Sequence, residues 1–215
     1  MRNAMFLNGI LTNSEVWYGL NSSHLTELEE VDEYLLRKIL NVHSKTAIEM
    51  IYLETGTIPI RYIIKSRRLS YLPHILTQNK SELISKIYFA QKRRPVKDDW
   101  AETVKKDMVD IELDLSEENI LIKKKEQFKL YLKKKIYLAA FKELNTKKES
   151  HSKVSHINHI NFEAQTYLKS YKFKTEEKQL LFRLRTRMTN VKCNFKTMHD
   201  NIQCNLCDKG FFPIR

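Results

Sequence analysis

Asn21-Ser22-Ser23-His24-Leu25-Thr26-Glu27-Leu28-Glu29-Glu30-Val31-Asp32-Glu33-Tyr34-Leu35-Leu36-Arg37-Lys38-Ile39-Leu40 decides the fold class. A serine at its start can accept the backbone N–H groups that the first turn of a helix leaves unpaired. Leu25, Leu28, Val31, Leu35 and Ile39 then recur at three- and four-residue spacing, which predicts one apolar stripe on an amphipathic helix. Glu27, Glu29, Glu30, Asp32 and Glu33 fill the other faces, mostly in the first half. Arg37 and Lys38 come last, as the helix dipole favours.

The same signals repeat along the chain. Thr46 and Glu49 have capping-box spacing, and Gly56 can end that helix in a left-handed conformation, with Ile48, Ile51 and Tyr52 on the apolar side. Pro59 suits the first turn of a helix running to about Leu76, with a bend expected at Pro73. On that helix Arg61, Lys65 and Arg68 share one sector, and Ile60, Ile64, Tyr71 and Ile75 share its neighbour. Asn79 or Ser81 opens a further helix to about Gln91. Lys92-Arg93-Arg94-Pro95-Val96-Lys97 then reads as a solvated basic linker. Asp99 and Glu102 open a helix with Ala101, Val104, Met108 and Ile111 inward. A single long helix is expected from Ser116 to about Leu144, with two lysine triplets and with Phe128, Tyr131, Tyr137 and Phe141 interleaved. Residues 145–160 read as a polar loop with surface histidines His151, His156 and His159. Helices are expected near Phe162–Lys169 and Thr175–Met188, the last with Leu180, Leu181, Leu184 and Met188 inward.

With only four Gly and four Pro in 215 residues, and no convincing strand-length alternation, the chain reads as all-α: seven or eight helices ending in a cysteine-bearing tail. Charge divides it. Residues 1–60 carry four Lys/Arg against eight Asp/Glu, and residues 61–215 carry 34 against 18. A surplus of that size is the electrostatic footprint of a polyanionic partner, nucleic acid before membrane. Cys193, Cys204 and Cys207 are odd in number and no secretory leader is recognisable. The expectation is an intracellular, reduced protein, nuclear or cytoplasmic, with no membrane span. Gly-rich phosphate loops, a G-x-S-x-G elbow and H-E-x-x-H do not occur, and the adjacent acids are explained by helix starts.

Several blocks in order carry a resemblance. They are Leu7-Asn8-Gly9-Ile10-Leu11-Thr12-Asn13-Ser14-Glu15-Val16-Trp17-Tyr18; Leu35-Leu36-Arg37-Lys38-Ile39-Leu40; and Glu49-Met50-Ile51-Tyr52-Leu53-Glu54-Thr55-Gly56-Thr57-Ile58-Pro59-Ile60-Arg61. Ser66-Arg67-Arg68-Leu69, Lys86–Gln91 and Pro95–Trp100 follow. Leu181-Phe182-Arg183-Leu184-Arg185-Thr186-Arg187-Met188 and Asn194-Phe195-Lys196 come last. Together they resemble the segment downstream of the palm in reverse transcriptases of non-LTR (LINE-type) retrotransposons. The resemblance implies a thumb-like helical domain over residues 1–78, a basic helical linker over 79–200, and the start of a zinc knuckle over 201–215. The catalytic carboxylates of such RNA-directed DNA polymerases lie in the upstream palm, so no catalytic residue is expected here. Arg61, Lys65, Arg67 and Arg68 become candidates for gripping an RNA or DNA duplex backbone, with Arg183, Arg185 and Arg187 beside them. Cys204 and Cys207 match the first two ligands of a Cys-Cys-His-Cys knuckle. The later His and Cys are absent, so no cofactor is expected, and zinc only if those ligands were supplied. A second expectation is a free-standing helical protein-interaction module with an incidental basic face, for which an exposed apolar patch on helix 24–40 would speak.

Overall fold

The computed structural model describes Arg2 and residues 7–188, and among them every regular element is a helix. In chain order these are α1 (Asn8–Ile10), a 3-10 turn (Ser14–Val16), α2 (Ser22–Leu40), α3 (Ile48–Thr55), α4 (Ile60–Thr77) and α5 (Leu83–Arg93). They continue as α6 (Trp100–Asp110), α7 (Glu117–Ile122), α8 (Lys125–Glu149), α9 (Thr166–Lys169) and α10 (Thr175–Arg185).

α4 is the central helix. It packs against α2, α5, α6, α7, α8 and the 3-10 turn. Its buried residues, Ile60, Tyr62, Ile64, Arg68, Leu69, Leu72 and Ile75, therefore lie on several sides rather than on one. Pro73 stays inside the helix, and the Thr77 hydroxyl donates to the Pro73 carbonyl. One core cluster runs from Leu36 through α3, α4 and α8 to Phe162 and Phe182. It joins residues on both sides of position 78, where the sequence suggested a boundary. A smaller cluster of Leu7, Leu11, Ile60 and Ile64, with Trp17 and Leu20 against it, seats the N-terminal turns on α4.

Local signals hold where they act on backbone. The Asn21 side chain accepts from the His24 N–H at 2.8 Å, so the cap of α2 is the asparagine rather than a serine. Asp99 accepts from Glu102 N at 2.8 Å to start α6. Gly56 ends α3 at φ 62°. The Thr46 cap does not form: α3 begins at Ile48 with Ala47 as its N-cap, and the Thr46 hydroxyl is buried without a partner.

Three expectations about longer elements are corrected. α2 buries Asp32, Leu36 and Leu40, and its expected stripe is displaced, with Val31 50% and Ile39 38% exposed. The cause is Asp32, which is fully buried because Arg2 pairs with it at 2.6 and 2.7 Å and Tyr52 donates to it at 3.2 Å. The helix expected over Ser116–Leu144 is two helices, broken where Lys123 and Lys124 turn extended. α10 buries Phe182, leaving Leu180 and Leu184 exposed.

Candidate nucleic-acid interface

The cations of α4 are already bonded within the protein. Arg61 pairs with Glu29 of α2 at 2.6 Å and with Glu143 of α8 at 2.9 Å, and Tyr62 donates to Glu143 at 2.6 Å. Lys65 pairs with Asp110. Arg67 donates to the Leu11 carbonyl and to the Ser14 hydroxyl. Arg68, 4% exposed, donates to the Trp17 carbonyl at 2.9 Å and pairs with Asp107. In the fold these four cations hold α2, α6, α8 and the N-terminal turns onto α4. The physical reason is the position of α4. A cationic sector on a central helix faces neighbouring helices, and their carboxylates compensate it.

The charge states fit that role. Burial works against the Arg61 charge, yet Glu29 and Glu143 hold its pKa above the ordinary value. Burial likewise opposes the Glu143 anion, and bonds from Lys147 and Tyr62 with the charge of Arg61 hold it below the usual carboxylate range. The carboxyl of Asp107 is pushed up by burial, against the pull of Arg68.

The C-terminal arginines do not assemble into a patch. Arg185 turns to Glu54 at 3.0 Å, the Arg183 Nε is buried with no partner among the described residues, and Arg187 is exposed. Glu54 is a hub that sequence reasoning missed. Its carboxylate is fully buried and takes His159 Nε2 at 2.9 Å and the Tyr167 hydroxyl at 2.7 Å, while its backbone carbonyl accepts from Gln165 N at 2.9 Å. Burial alone would raise Glu54. Its bonds from His159 and Tyr167 and the Arg185 guanidinium hold it below the usual range. The expectation that His159 is a surface histidine is thus corrected; its ring is buried, with Nδ1 unpartnered. One glutamate within an apolar helix carries no sequence signal for a contact made 105 residues later.

The uncompensated cations lie elsewhere. Lys124, Lys125, Lys133 and Lys134, around the start and middle of α8, are exposed and have no carboxylate partner among the described residues; Arg94 and Lys97 of the α5–α6 linker are the same. The interleaved aromatics of α8 serve the core. Phe128 is 1% exposed, and Tyr137 and Phe141 meet Phe162 at ring distances of 5.6 and 6.0 Å. Lys133 lies 5.6 Å over the Tyr137 ring.

A second surface is apolar. A groove of about 670 Å³ lies between the 3-10 turn and α2, lined by Trp17, Leu20, Leu28 and the more exposed Val16, Tyr18 and Val31. Among the described residues no group of three or more His, Cys, Asp or Glu could hold a metal, and no helix is long and apolar enough to cross a membrane. Cys193, Cys204 and Cys207 lie outside the described residues. No family model, curated protein or solved structure matches the chain.

Proposed function

We infer that the chain is a non-catalytic helical segment of the non-LTR reverse-transcriptase type, and that it binds the backbone of an RNA or DNA duplex without reading its sequence. The observation that carries the binding is the charge left over after internal pairing. Lys124, Lys125, Lys133 and Lys134 stand exposed in or beside one helix with no carboxylate among the described residues to neutralise them. Lysines so placed act as point charges on phosphates and release condensed counterions when they bind. The contact surface in this reading is α8 with the α5–α6 linker. The α4 arginines support it from inside and do not touch the ligand. The ordered phrases supply the family, and zinc enters only if a Cys204–Cys207 half-site received its missing ligands from elsewhere. The compartment in this reading is nuclear or cytoplasmic.

The test is a salt titration of the whole chain with a short RNA–DNA duplex. Four neutralised phosphates give a slope of log affinity on log salt of about −3 to −4. A flat response, or no binding at low salt, removes the reading.

A second reading has its own observation. The exposed apolar strip on α2 and the adjoining turn, with Tyr18 60% and Tyr34 62% exposed, favours a protein-interaction module. In the family reading an upstream polymerase palm would be what covers it.

A further inference from the structure

The α2 groove and the outer face of α8 complement each other in charge, apolar content and length. Along the groove, α2 runs from His24 to Val31, about 10 Å at 1.5 Å per residue. Glu27 lines it, is exposed, has no cationic partner among the described residues, and accepts from the Ser23 hydroxyl at 3.4 Å. On α8, Leu130 is 72% and Leu138 57% exposed. At 100° per residue they fall with Lys134 within an arc of about 80°, and they stand about 12 Å apart along the helix. Lys134, midway between them, has no carboxylate partner among the described residues. Glu27 and Glu30 are exposed acids of α2 with no cationic partner among the described residues, opposite in sign to the exposed lysines of α8.

We propose that the α2 groove of one copy receives the Leu130–Lys134–Leu138 face of α8 from a second copy, with Lys134 against Glu27. The two surfaces differ, so the contact is heterologous: each copy keeps a free groove at one end and a free α8 face at the other. Assembly is therefore open-ended rather than a closed dimer. The proposal gives an occupant to the apolar surface of the second reading and does not depend on nucleic-acid binding. Its test uses nuclease-treated protein with no nucleic acid present.

Sedimentation equilibrium of the whole chain at low salt, up to about 100 μM where small interfaces associate, gives a mass that rises with concentration beyond twice the monomer. Val31→Glu blocks the groove, and the double variant L130E/L138E blocks the face; each alone is monomeric over that range. An equimolar mixture of the two returns a species of twice the monomer mass and nothing larger, because each supplies the surface the other lacks. The charge pair checks this without touching apolar packing. E27K and K134E each weaken association about tenfold or more, and the chain carrying both recovers it. A wild-type chain that stays monomeric overturns the proposal. So does a closed dimer indifferent to L130E/L138E, or a mixture that fails to pair while both variants keep the wild-type circular dichroism.

Discussion

Glu54 ties distant segments of the chain to α3. Its carboxylate joins His159, Tyr167 and Arg185 to α3, so segments more than 100 residues away depend on one side chain. Against the effect of burial, the bonds from His159 and Tyr167 and the charge of Arg185 hold its pKa below the ordinary glutamate value, so the folded chain binds its proton less readily than the unfolded chain. The stability this supplies is present above about pH 4.5 and is lost as pH falls through the depressed folded value. Glu143 acts in the same window with the same sign. E54Q should lower unfolding free energy at pH 7 by on the order of 2–3 kcal/mol. It should also flatten the loss of stability below pH 4.5, both read by urea denaturation across pH. Gly56 is a stricter case. It sits at φ 62°, and a Cβ there would collide with Ala164 N and the Glu163 backbone, which cannot swing aside. G56A should cost at least about 2 kcal/mol, seen as a lower thermal midpoint, since a left-handed alanine alone costs about 1–2. Arg68 separates the structural from the phosphate-binding role. R68A leaves Asp107 buried and unpaired and should destabilise by about 3–5 kcal/mol. Duplex affinity of the folded fraction should stay unchanged in a gel-shift assay; a drop in affinity at equal folded fraction would return Arg68 to the interface.

At the scale of elements, the legible features are those that local backbone chemistry determines. Asp99 caps α6 because its side chain reaches an N–H three residues on, and Gly56 stops α3 because it accepts positive φ. Stripe positions are less legible, because burial depends on what the far side of the core supplies. Leu36 and Leu40 go in because Arg2 and Tyr52 draw Asp32 in with them, and no periodicity within α2 contains that fact. The break between α7 and α8 has no Gly or Pro to announce it, and both pieces pack against α4. The cations of α4 show the same dependence on tertiary context. Arg61, Lys65 and Arg68 share a helical sector as read, but α4 is enclosed, so the sector points at Glu29, Asp110 and Asp107. The lysines of α8 were visible as triplets, and only the tertiary structure separates the unpaired from the paired. Lys142 pairs with the Glu112 carboxylate and Lys147 with that of Glu143, and Lys135 donates to the Glu112 backbone carbonyl, whereas Lys133 and Lys134 reach no acid among the described residues. Replacing Lys124, Lys125, Lys133 and Lys134 by glutamine should reduce the salt slope of duplex binding by about 3–4 and leave the fold intact, since all four side chains are exposed. Retention of the full slope would move the binding surface away from α8.

For the whole molecule, salt acts in two opposed directions. The chain carries a net charge of +12, and the described ion pairs of α4 compensate only the cations they hold. The remaining cations repel one another across the surface, which disfavours the compact state. Exposed like charges are screened beyond about 10 Å at 0.1 M salt, whereas buried pairs such as Arg68–Asp107 and Arg2–Asp32 are screened far less. Added monovalent salt should therefore relieve repulsion without dissolving the pairs that hold the helices together. Raising salt from about 20 to 300 mM should stabilise the fold by on the order of 1 kcal/mol, a rise of about 2–4 °C in thermal midpoint for a domain near 200 residues. Over the same range duplex affinity should fall steeply, because the screened cations are the ones that meet phosphate. Thermal unfolding and duplex binding measured in one salt series test both signs together. A midpoint that drops with salt would mean that the fold rests on exposed pairs such as Lys142–Glu112 and Lys106–Asp98 rather than on the buried ones.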